Sequence, residues 1–315
     1  MKQFIINQND SGQRLDKFIT KAVPKLPRSL MYKYIRLKRI KLNGKRCDIS
    51  QMLNANDIID MYINDEFFES ANEKTSVRIS SQEKMPPIVY EDNNIMIIFK
   101  PKGIDVHQGA EKPDETLIDM ITAYLYKKGE YSPDTESSFS PAVCNRLDRN
   151  TAGLVIAAKN AAALREMNLI IKQRLIKKEY LCICGGTLSP DTALAEAFHR
   201  KGNHNKVEIL SDPKSDSKKI ITKYEVLKKR NGLMLVKVDL LTGRTHQIRA
   251  HLAFLGAPIL GDGKYGSVKL NKQYKVFKQQ LCAYSVTFEN RPEGVLGYMS
   301  GKTFTAPEND FEIEL

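Results

Sequence analysis

The sequence of 315 residues lacks any apolar run long enough to cross a membrane, and no early segment resembles a signal peptide. It holds five cysteines, an odd and scattered set in which only Cys182 and Cys184 are close together. Alternation along a strand would place these two on one face, where a pair of buried thiols is the simplest interpretation because a metal site needs further ligands. We therefore expect a cytoplasmic protein with reduced cysteines and no membrane partner.

The sequence also lacks the signatures of several catalytic sites. No serine stands in a Gly-x-Ser-x-Gly turn, and there is no Gly-x-x-x-x-Gly-Lys phosphate loop. His246 and His251 are five residues apart and do not share a helical face. His199 and His204 have the same spacing in a predicted loop, with no acidic cluster nearby. We therefore predict no metal and no cofactor, which leaves an enzyme that works through a carboxylate.

Acidic residues are scarce near the N-terminus. Residues 1–63 contain 13 Lys and Arg against 5 Asp and Glu, and so supply +8 of the net charge of +12. The segment from Arg28 to Lys41 contains no acid at all. An excess of this kind favours a polyanionic partner.

This basic segment has the pattern of a small α+β module. Apolar spacing predicts helices over residues 14–23 and 28–38, and Asn43-Gly44 predicts a hairpin turn before a strand at residues 58–63. One face of the second helix would carry Arg28, Tyr32, Arg36 and Arg39. The module resembles the RNA-binding domain first described in ribosomal small-subunit protein four, through Arg14-Leu15-Asp16, the Arg28-Ser29 helix start and Lys41-Leu42-Asn43-Gly44.

Composition then divides the chain into three parts. Residues 64–87 lose periodicity, collect polar residues and end in Pro86-Pro87, so we interpret residues 1–63 as one domain, 64–87 as a linker and 88–315 as a larger domain. In the larger domain we predict an α+β fold, with a mixed, mainly antiparallel sheet and helices packed on it. The predicted helices are 116–128, 161–172 and 246–255, the main strands are 95–99, 154–158, 178–184, 222–229, 233–241 and 281–288, and residues 199–219 are expected to be a basic, ill-ordered insertion.

The most informative stretch runs from Asn145 to Asn160. Its polar opening gives way at Gly153 to a short apolar run, a pattern typical of a loop that leads into a buried strand. Loops held by a rigid sheet often carry chemistry, so Asp148 is our candidate reacting residue. An aspartate between two arginines is more often a surface ion pair, and Arg14-Leu15-Asp16 repeats the tripeptide in a helix start. The tripeptide alone therefore does not identify a catalyst.

A second candidate element lies between Thr242 and His251. Thr245 is placed to cap a helix whose first turns carry Gln247 and Arg249. Backbone N–H groups and an arginine at a helix N-terminus favour a phosphate or a carboxylate. The alternative is an exposed basic helix end.

Four motifs in order resemble those of the RluA-like pseudouridine synthases. They are Asn145 to Leu154, Lys178-Glu179-Tyr180-Leu181, Thr242 to His251, and Leu255 to Asp262, preceded by Lys100-Pro101-Lys102-Gly103 and Val106-His107. The resemblance covers about residues 88–306. The sequence departs from the commonest family pattern at Asn145, Asn150 and Ala152. These differences put in question the hydrogen bonds of the loop around Asp148 and the preferred RNA target, but Asp148 itself is present.

The resemblance implies the isomerisation of uridine in RNA to pseudouridine, without a cofactor. Asp148 would act as nucleophile or base, Arg249 would be its charged partner, Tyr180 would lie against the uracil, and Arg146 would fill the gap left in the RNA. A neighbouring guanidinium favours a charged carboxylate. The residues expected to contact RNA are Arg28, Tyr32, Arg36, Arg39, Lys45, Arg149 and Arg244. Large-subunit ribosomal RNA is the expected substrate, with transfer RNA as the alternative, and a monomer is expected.

Two other functions are compatible with parts of the sequence. A non-catalytic RNA-binding or ribosome-assembly factor would also need a basic N-terminal module and a positive net charge. A glycosidase would need a second acid at a set distance from Asp148, for which Glu179 is the nearest candidate in sequence.

Overall fold

The computed structural model describes residues 1–68, 85–108, 115–202, 206–291, 293–308, 310–313 and 315, and these form six α-helices and fifteen strands. The helices are α1 (Leu15–Ala22), α2 (Arg28–Arg36), α3 (Leu117–Lys127), α4 (Ala161–Lys172), α5 (Gln247–Phe254) and α6 (Val268–Tyr274). The strands are β1 (Lys2–Ile5), β2 (Ile40–Leu42), β3 (Lys45–Arg46), β4 (Ile58–Met61), β5 (Ile88–Glu91), β6 (Ile95–Lys100), β7 (Ala142–Val143), β8 (Ala152–Ala158), β9 (Ile176–Gly185), β10 (Thr192–Lys201), β11 (Val207–Leu210), β12 (Lys218–Arg230), β13 (Leu233–Leu240), β14 (Leu281–Phe288) and β15 (Thr303–Thr305).

The N-terminal residues form a separate antiparallel sheet in the order β1-β4-β2-β3. Helices α1 and α2 cover one side of it, and their apolar faces meet the strands in a core that includes Leu15, Phe18, Ile59 and Met61. The predicted helix pair and hairpin are therefore confirmed. The domain boundaries at residues 63 and 88 remain predictions, because 69–84 of the predicted linker lie outside the described residues.

One prediction about this module is wrong. Helix α2 ends at Arg36, and Lys38 has a left-handed φ of 59°, which a continuing helix does not allow. Arg39 therefore lies beyond the helix rather than on its face, and its guanidinium sits 5.6 Å from the centre of the Tyr34 ring. Arg28, Tyr32 and Arg36 remain exposed on α2.

The described part of the larger domain is built on one mixed sheet. Its strand order is β11-β10-β12-β13-β9-β14-β8-β6-β5, with β7 and β15 paired at the sides. Among the described strands the pairing of β14 with β8 is parallel and the other pairings are antiparallel. The predicted mixed, mainly antiparallel sheet is thus confirmed.

Residues 199–219 were expected to be ill-ordered, and this expectation is wrong for much of the segment. Strand β10 continues to Lys201, β11 pairs with it from Phe198↔Leu210 to Lys201↔Val207, and β12 begins at Lys218. The charged residues that suggested disorder belong to strands near the sheet edge, where many side chains are exposed. Helix α6 was not predicted.

Strand β8 lies inside the sheet, between β14 and β6, and is buried along its whole length. It approaches β14 very closely at Gly153, which has a φ of 122°. A Cβ at this position would lie 2.4 Å from both the backbone N and O of Ala283. Only glycine fits this crossing, and the crossing fixes where the loop before β8 emerges from the sheet.

Polar contacts join the N-terminal residues to the larger domain. The Asp10 carboxylate is fully buried and accepts hydrogen bonds from the Ser138 backbone N–H at 2.9 Å and from its hydroxyl at 2.6 Å. Asn9 donates to Glu136 at 2.7 Å, and Gln13 donates to Ser138 at 2.6 Å. Directional hydrogen bonds therefore make a large part of this contact.

We predict that Gly153→Ala lowers the free energy of unfolding by about 3 to 5 kcal/mol, because it combines a strained φ with a backbone clash. Gly103→Ala is the matched control, since Gly103 also has a positive φ, 92°, but a Cβ there meets nothing within 4 Å. The control should lose about 1 kcal/mol in urea unfolding. Equal losses in the two variants would show that the close approach of β14 is unimportant.

Candidate active site

The loop before β8 is held by a buried lysine. The ammonium group of Lys100 donates hydrogen bonds of 2.9 to 3.0 Å to the carbonyl oxygens of Pro101, Ile104 and Arg149. Burial lowers the pKa of Lys100 to about 8, although the charges of Asp105 and Asp148 act to raise it. The three carbonyl groups thereby fix two loops against each other at the end of β6.

The loop itself is closed by local hydrogen bonds. Asn145 accepts from the backbone N–H of Ile156 at 2.8 Å and donates to the carbonyl of Leu154 at 3.1 Å. The backbone N–H of Thr151 donates to the carbonyl of Asp148 at 3.0 Å. Asp148 is therefore presented on a turn directly before β8, with about a third of its side chain exposed.

Arg249 links Asp148 to a second carboxylate. Its Nη1 donates to Asp148 Oδ2 at 2.7 Å, while Nε and Nη2 donate to the two oxygens of Asp262 at 2.6 and 2.9 Å. The Asp262 side chain is fully buried and that of Arg249 nearly so. The two-pronged contact with Asp262 fixes the plane of the guanidinium, and with it the direction of the bond to Asp148.

Asp262 is stabilised in its charged form by its own turn. Burial acts to raise its pKa, but the Arg249 guanidinium and the backbone N–H groups of Lys264 and Tyr265 lower it below its usual value. The ring of Tyr265 lies 5.3 Å from the Arg249 guanidinium carbon. Residues 261–266 have the Gly-x-Gly-x-x-Gly spacing of a dinucleotide site, yet they form turns and not the strand-to-helix connection that such a site requires.

Tyr180 lies on β9, on the far side of β14 from β8, and lines the same cavity as Asp148. It lies in the core with Ala283 and Val238, its register partners on β14 and β13. Burial raises the pKa of the Tyr180 hydroxyl, and the negative charge of Asp148 raises it further. The Tyr180 hydroxyl therefore stays protonated, and the side chain lines the cavity with an apolar ring and a polar hydroxyl.

Two cavities meet at Asp148. One has a volume of about 520 Å³ and is also lined by Arg249, Arg149 and Gln279. The other has a volume of about 1060 Å³ and is also lined by Tyr180, Lys178 and Arg244. The residues that line both are His107, Arg146, Leu147, Asp148 and His246. The space around Asp148 is large enough for a nucleotide and its neighbours.

The structure brings the six predicted site residues of the larger domain together. Asp148, Arg249, Tyr180, Arg146, Arg149 and Arg244 all line these cavities. Arg149 also donates to Asp105 at 3.1 Å. The predicted RNA-contacting residues of the N-terminal module, including the exposed Lys45 on β3, do not line them.

Two details differ from expectation, and one alternative candidate can be located. Thr245 does not cap α5, because His246 occupies the N-cap position and no side chain caps the helix. His199 lies on β10 rather than in a loop, and His204 lies outside the described residues. Glu179, the candidate second acid, is ion-paired with Lys177 and accepts from Ser285. Within the described residues, no group of His, Cys, Asp and Glu is arranged to hold a metal ion.

Sequence reasoning gave no role to Asp262, Tyr265 and His246. Asp262 is the last residue of the motif Leu255 to Asp262, and His246 lies within the motif Thr242 to His251, but neither motif assigned a role to these side chains. Their spacing to Asp148 along the chain exceeds 90 residues, so no local pattern connects them. Lys178 was likewise only part of a motif. It lies in the larger cavity, where burial lowers its pKa.

Comparison with known proteins agrees with this geometry. The family model described as RNA pseudouridylate synthase matches residues 94–254, and the model of the S4 domain matches residues 13–59. An uncharacterized RNA pseudouridine synthase of Mycoplasma capricolum is 33% identical over 312 residues, which cover 96% of each chain. The chain belongs to the RNA pseudouridylate synthase family. It is therefore an RNA-binding isomerase that forms pseudouridine, and the non-catalytic alternative is set aside.

Other relatives of this pseudouridine synthase extend the comparison. Ribosomal large subunit pseudouridine synthase D of Escherichia coli K12 is 31% identical over 266 residues, covering 83% of this chain and 75% of the relative. The solved structure of human RNA pseudouridylate synthase domain containing 1 has a TM-score of 0.56 and 22% identity, and covers 72% of this chain and 86% of its own. The fold of the synthase is thus shared with a solved structure. No helix among the described residues is long and apolar enough to span a membrane.

The helix that carries Arg249 also contains a buried histidine that should make the stability of the synthase depend on pH. His251 is fully buried, its Nδ1 lies 2.9 Å from the Thr222 hydroxyl, and burial lowers its pKa from 6.5 to about 4. The unfolded chain therefore binds a proton at a pH where the folded protein does not. The resulting stabilisation is complete above about pH 7 and is lost as the pH falls from 6.5 towards 4.

We predict that this histidine removes about 3 kcal/mol of stability between pH 7 and pH 4. In urea unfolding at several pH values, His251→Asn should reduce the slope of stability against pH across this interval. His199→Asn, at a partly exposed position on β10, should keep the wild-type slope. A slope unchanged in His251→Asn would contradict the assignment.

Proposed function

We propose that this pseudouridine synthase modifies specific uridines of large-subunit ribosomal RNA, with Asp148 as its reacting residue. The observation that carries the proposal is the position of Asp148, which lies where two cavities meet and is hydrogen-bonded to a buried, oriented guanidinium. Asp262, the other carboxylate bound to Arg249, is fully enclosed and saturated with hydrogen bonds, so it has no access to a substrate.

The reaction would proceed on a uridine that is rotated out of the RNA into the larger cavity. Tyr180 would lie against the uracil, and Arg146, at the boundary of both cavities, would enter the gap left in the RNA. The bond between N1 of uracil and C1′ of ribose breaks, the base turns, and a bond between C5 and C1′ forms. The proton lost from C5 is balanced by one gained at N1, so the product is an isomer and no further reactant is consumed.

Asp148 has two possible roles in this sequence, as a nucleophile towards the sugar or the base, or as a base that removes a ribose proton. Both require a charged carboxylate with an accessible oxygen, which its partial exposure and its bond to Arg249 provide. The apolar strand behind it and the walls of the cavity would keep water from the separated base, since hydrolysis would release the uracil.

The assignment of the substrate rests on the relatives and on charge. Several relatives are named as ribosomal large subunit pseudouridine synthases C or D, at 28 to 31% identity. The S4 domain adds an exposed basic helix face suited to structured RNA. Transfer RNA is the second candidate. We further propose that the synthase acts as a monomer in the cytoplasm, where its five cysteines, all unpaired, would remain reduced. Mapping of pseudouridine in cellular RNA with and without the gene distinguishes the two substrates.

We predict that Asp148→Asn abolishes pseudouridine formation while RNA binding and folding persist, because the amide is neither a nucleophile nor a base. The matched control is Asp16→Asn, which changes the same Arg-Leu-Asp tripeptide at α1, where Asp16 is paired with Arg14. The control should retain activity at a temperature where both variants are folded. The measurement is pseudouridine formed on a transcript of the ribosomal RNA under single-turnover conditions. Product formed by Asp148→Asn would refute the role of Asp148.

We also predict that replacing Arg28, Arg36 and Arg39 by Glu weakens binding to structured RNA at least tenfold and reduces the salt dependence of binding. The rate at saturating enzyme should stay near the wild-type value, because these residues do not line the cavities. A variant with Glu at Lys17, Lys21 and Lys25 makes the same change in net charge elsewhere in the module and is the control. An equal loss of affinity in both would mean that the total charge of the module, and not the position of these three arginines, determines RNA binding.

A further inference from the structure

His246 stands at the start of α5 in an unusual conformation. Its φ is 53° and its ψ is 19°, which places a non-glycine residue in the left-handed region. This conformation costs about 1 to 2 kcal/mol and is commonly kept where a side chain has a task. The imidazole is 12% exposed and lies between Asp148 and Tyr265, and its ring packs edge-on against the Tyr265 ring with centres 5.6 Å apart.

The hydrogen bonds of Tyr265 determine which imidazole nitrogen carries the proton. The backbone N–H of Val207 on β11 donates to the Tyr265 hydroxyl oxygen at 2.9 Å, and Nδ1 of His246 lies 2.9 Å from the same oxygen. A hydroxyl has one hydrogen to donate. If Nδ1 were also a donor, the Tyr265 hydrogen would have no acceptor among the described residues. The arrangement that satisfies every group has Tyr265 donating to Nδ1, so the ring hydrogen lies on Nε2.

Nε2 faces the reacting carboxylate. It lies 3.7 Å from Asp148 Oδ2, the oxygen that also accepts from Arg249. This distance is longer than a hydrogen bond, but such contacts in a free enzyme often shorten when the substrate binds. Asp148 Oδ1 has no hydrogen-bond partner among the described residues. The Arg249 donor and the nearby Nε2 of His246 both lie at Oδ2, which leaves Oδ1 free towards the cavities.

The surroundings favour the neutral imidazole. Burial lowers the pKa of His246, the charge of Asp148 opposes this effect, and Arg249 and Lys264 reinforce it. Asp262 adds a smaller opposing effect, and Tyr265 contributes a neutral hydroxyl. A neutral Nε2–H can donate to a carboxylate without neutralising its charge.

We propose that His246 is held by Tyr265 in the Nε2–H tautomer and donates to Oδ2 of Asp148, which leaves Oδ1 as the oxygen that reacts with the nucleotide. The inference rests on the proposed role of Asp148. His246 is then a catalytic residue because it touches the reacting carboxylate, and Tyr265 is a positioning residue that acts through His246. Strand β11 takes part as well, since its Val207 N–H fixes the Tyr265 hydroxyl.

The tautomer can be measured without any activity. In the full-length synthase labelled with ¹⁵N-histidine, the His246 signal, identified by its loss in His246→Gln, should show a protonated Nε2 and an unprotonated Nδ1 at neutral pH. Tyr265→Phe removes the donor to Nδ1 and should shift this signal towards a mixture of tautomers. A wild-type signal with the proton on Nδ1, or on both nitrogens, would overturn the proposal.

Kinetics supply the second test. His246→Leu should reduce the single-turnover rate about 10- to 100-fold with unchanged affinity for RNA, since one donor to the reacting group is lost. His246→Gln can present an amide N–H at the same place and should recover a large part of this rate. Tyr265→Phe should lose less than His246→Leu. A normal rate in a folded His246→Leu would overturn the proposal, even if Asp148→Asn is inactive. Activity in Asp148→Asn would instead overturn the proposed function, while the NMR result would still report the tautomer.

Discussion

The site depends on one buried cation held between two carboxylates. Arg249 meets Asp262 through two hydrogen bonds and Asp148 through one, and these partners are 13 and 101 residues away in the chain. Asp262 receives two further backbone N–H groups, so its charge is fully compensated by its surroundings. The charges of Arg249 and Asp262 therefore largely cancel each other. Asp148 accepts a well-directed hydrogen bond from Arg249, but the positive charge of Arg249 is already balanced by Asp262. A buried charge that loses its partner is strongly destabilising, so the two acids and the arginine act as one unit.

The fold positions Asp148, Arg249 and Asp262 through close contacts that would not accommodate larger side chains or a lost hydrogen bond. Gly153 lets β8 cross β14 at backbone distance, and Lys100 joins the loops that follow β6 and precede β8. Tyr180 enters from β9, which is also paired with β14. One strand, β14, thus fixes the turn of Asp148 and the wall formed by Tyr180 relative to each other. Helix α5 supplies the third side with Arg249, and the turn after it supplies Asp262.

The sequence predicted those parts of the fold that have local causes. An apolar run after glycine predicted β8, strand β14 was predicted with its observed bounds, and apolar spacing predicted α5 to within a residue at each end. Asn-Gly predicted the hairpin of the N-terminal module. The resemblance predicted Arg249 as the charged partner of Asp148, and the two side chains are in contact in the structure. The role of Asp262 had no such signal, because it arises from a turn that meets α5 only in three dimensions. The charged residues around position 200 led to a wrong prediction for β10 and β11, since strands near an exposed sheet edge and disordered loops have similar compositions. Arg39 was misplaced because helical spacing does not reveal that Lys38 ends the helix.

The N-terminal module and the larger domain have separate hydrophobic cores, so the contact between them determines how RNA bound by one is presented to the other. The N-terminal core and the sheet of the larger domain share few apolar contacts, and the hydrogen bonds of Asn9, Asp10 and Gln13 join them. On the proposed function, the exposed Arg28 and Arg36 of α2 would gain binding energy from RNA phosphates, and neither residue lines the cavities at Asp148. Rotation of a uridine out of the RNA costs a few kcal/mol of free energy. The interactions of the residues around Asp148 raise the rate only if they are stronger in the transition state, so the cost of rotation would have to be offset by contacts elsewhere. Contacts made by the S4 domain can offset the cost of rotating the base only if the two domains are held in a fixed relation while the RNA is bound. The buried Asp10 carboxylate, whose bonds to Ser138 are directional, is one of the contacts that hold the two domains in this relation.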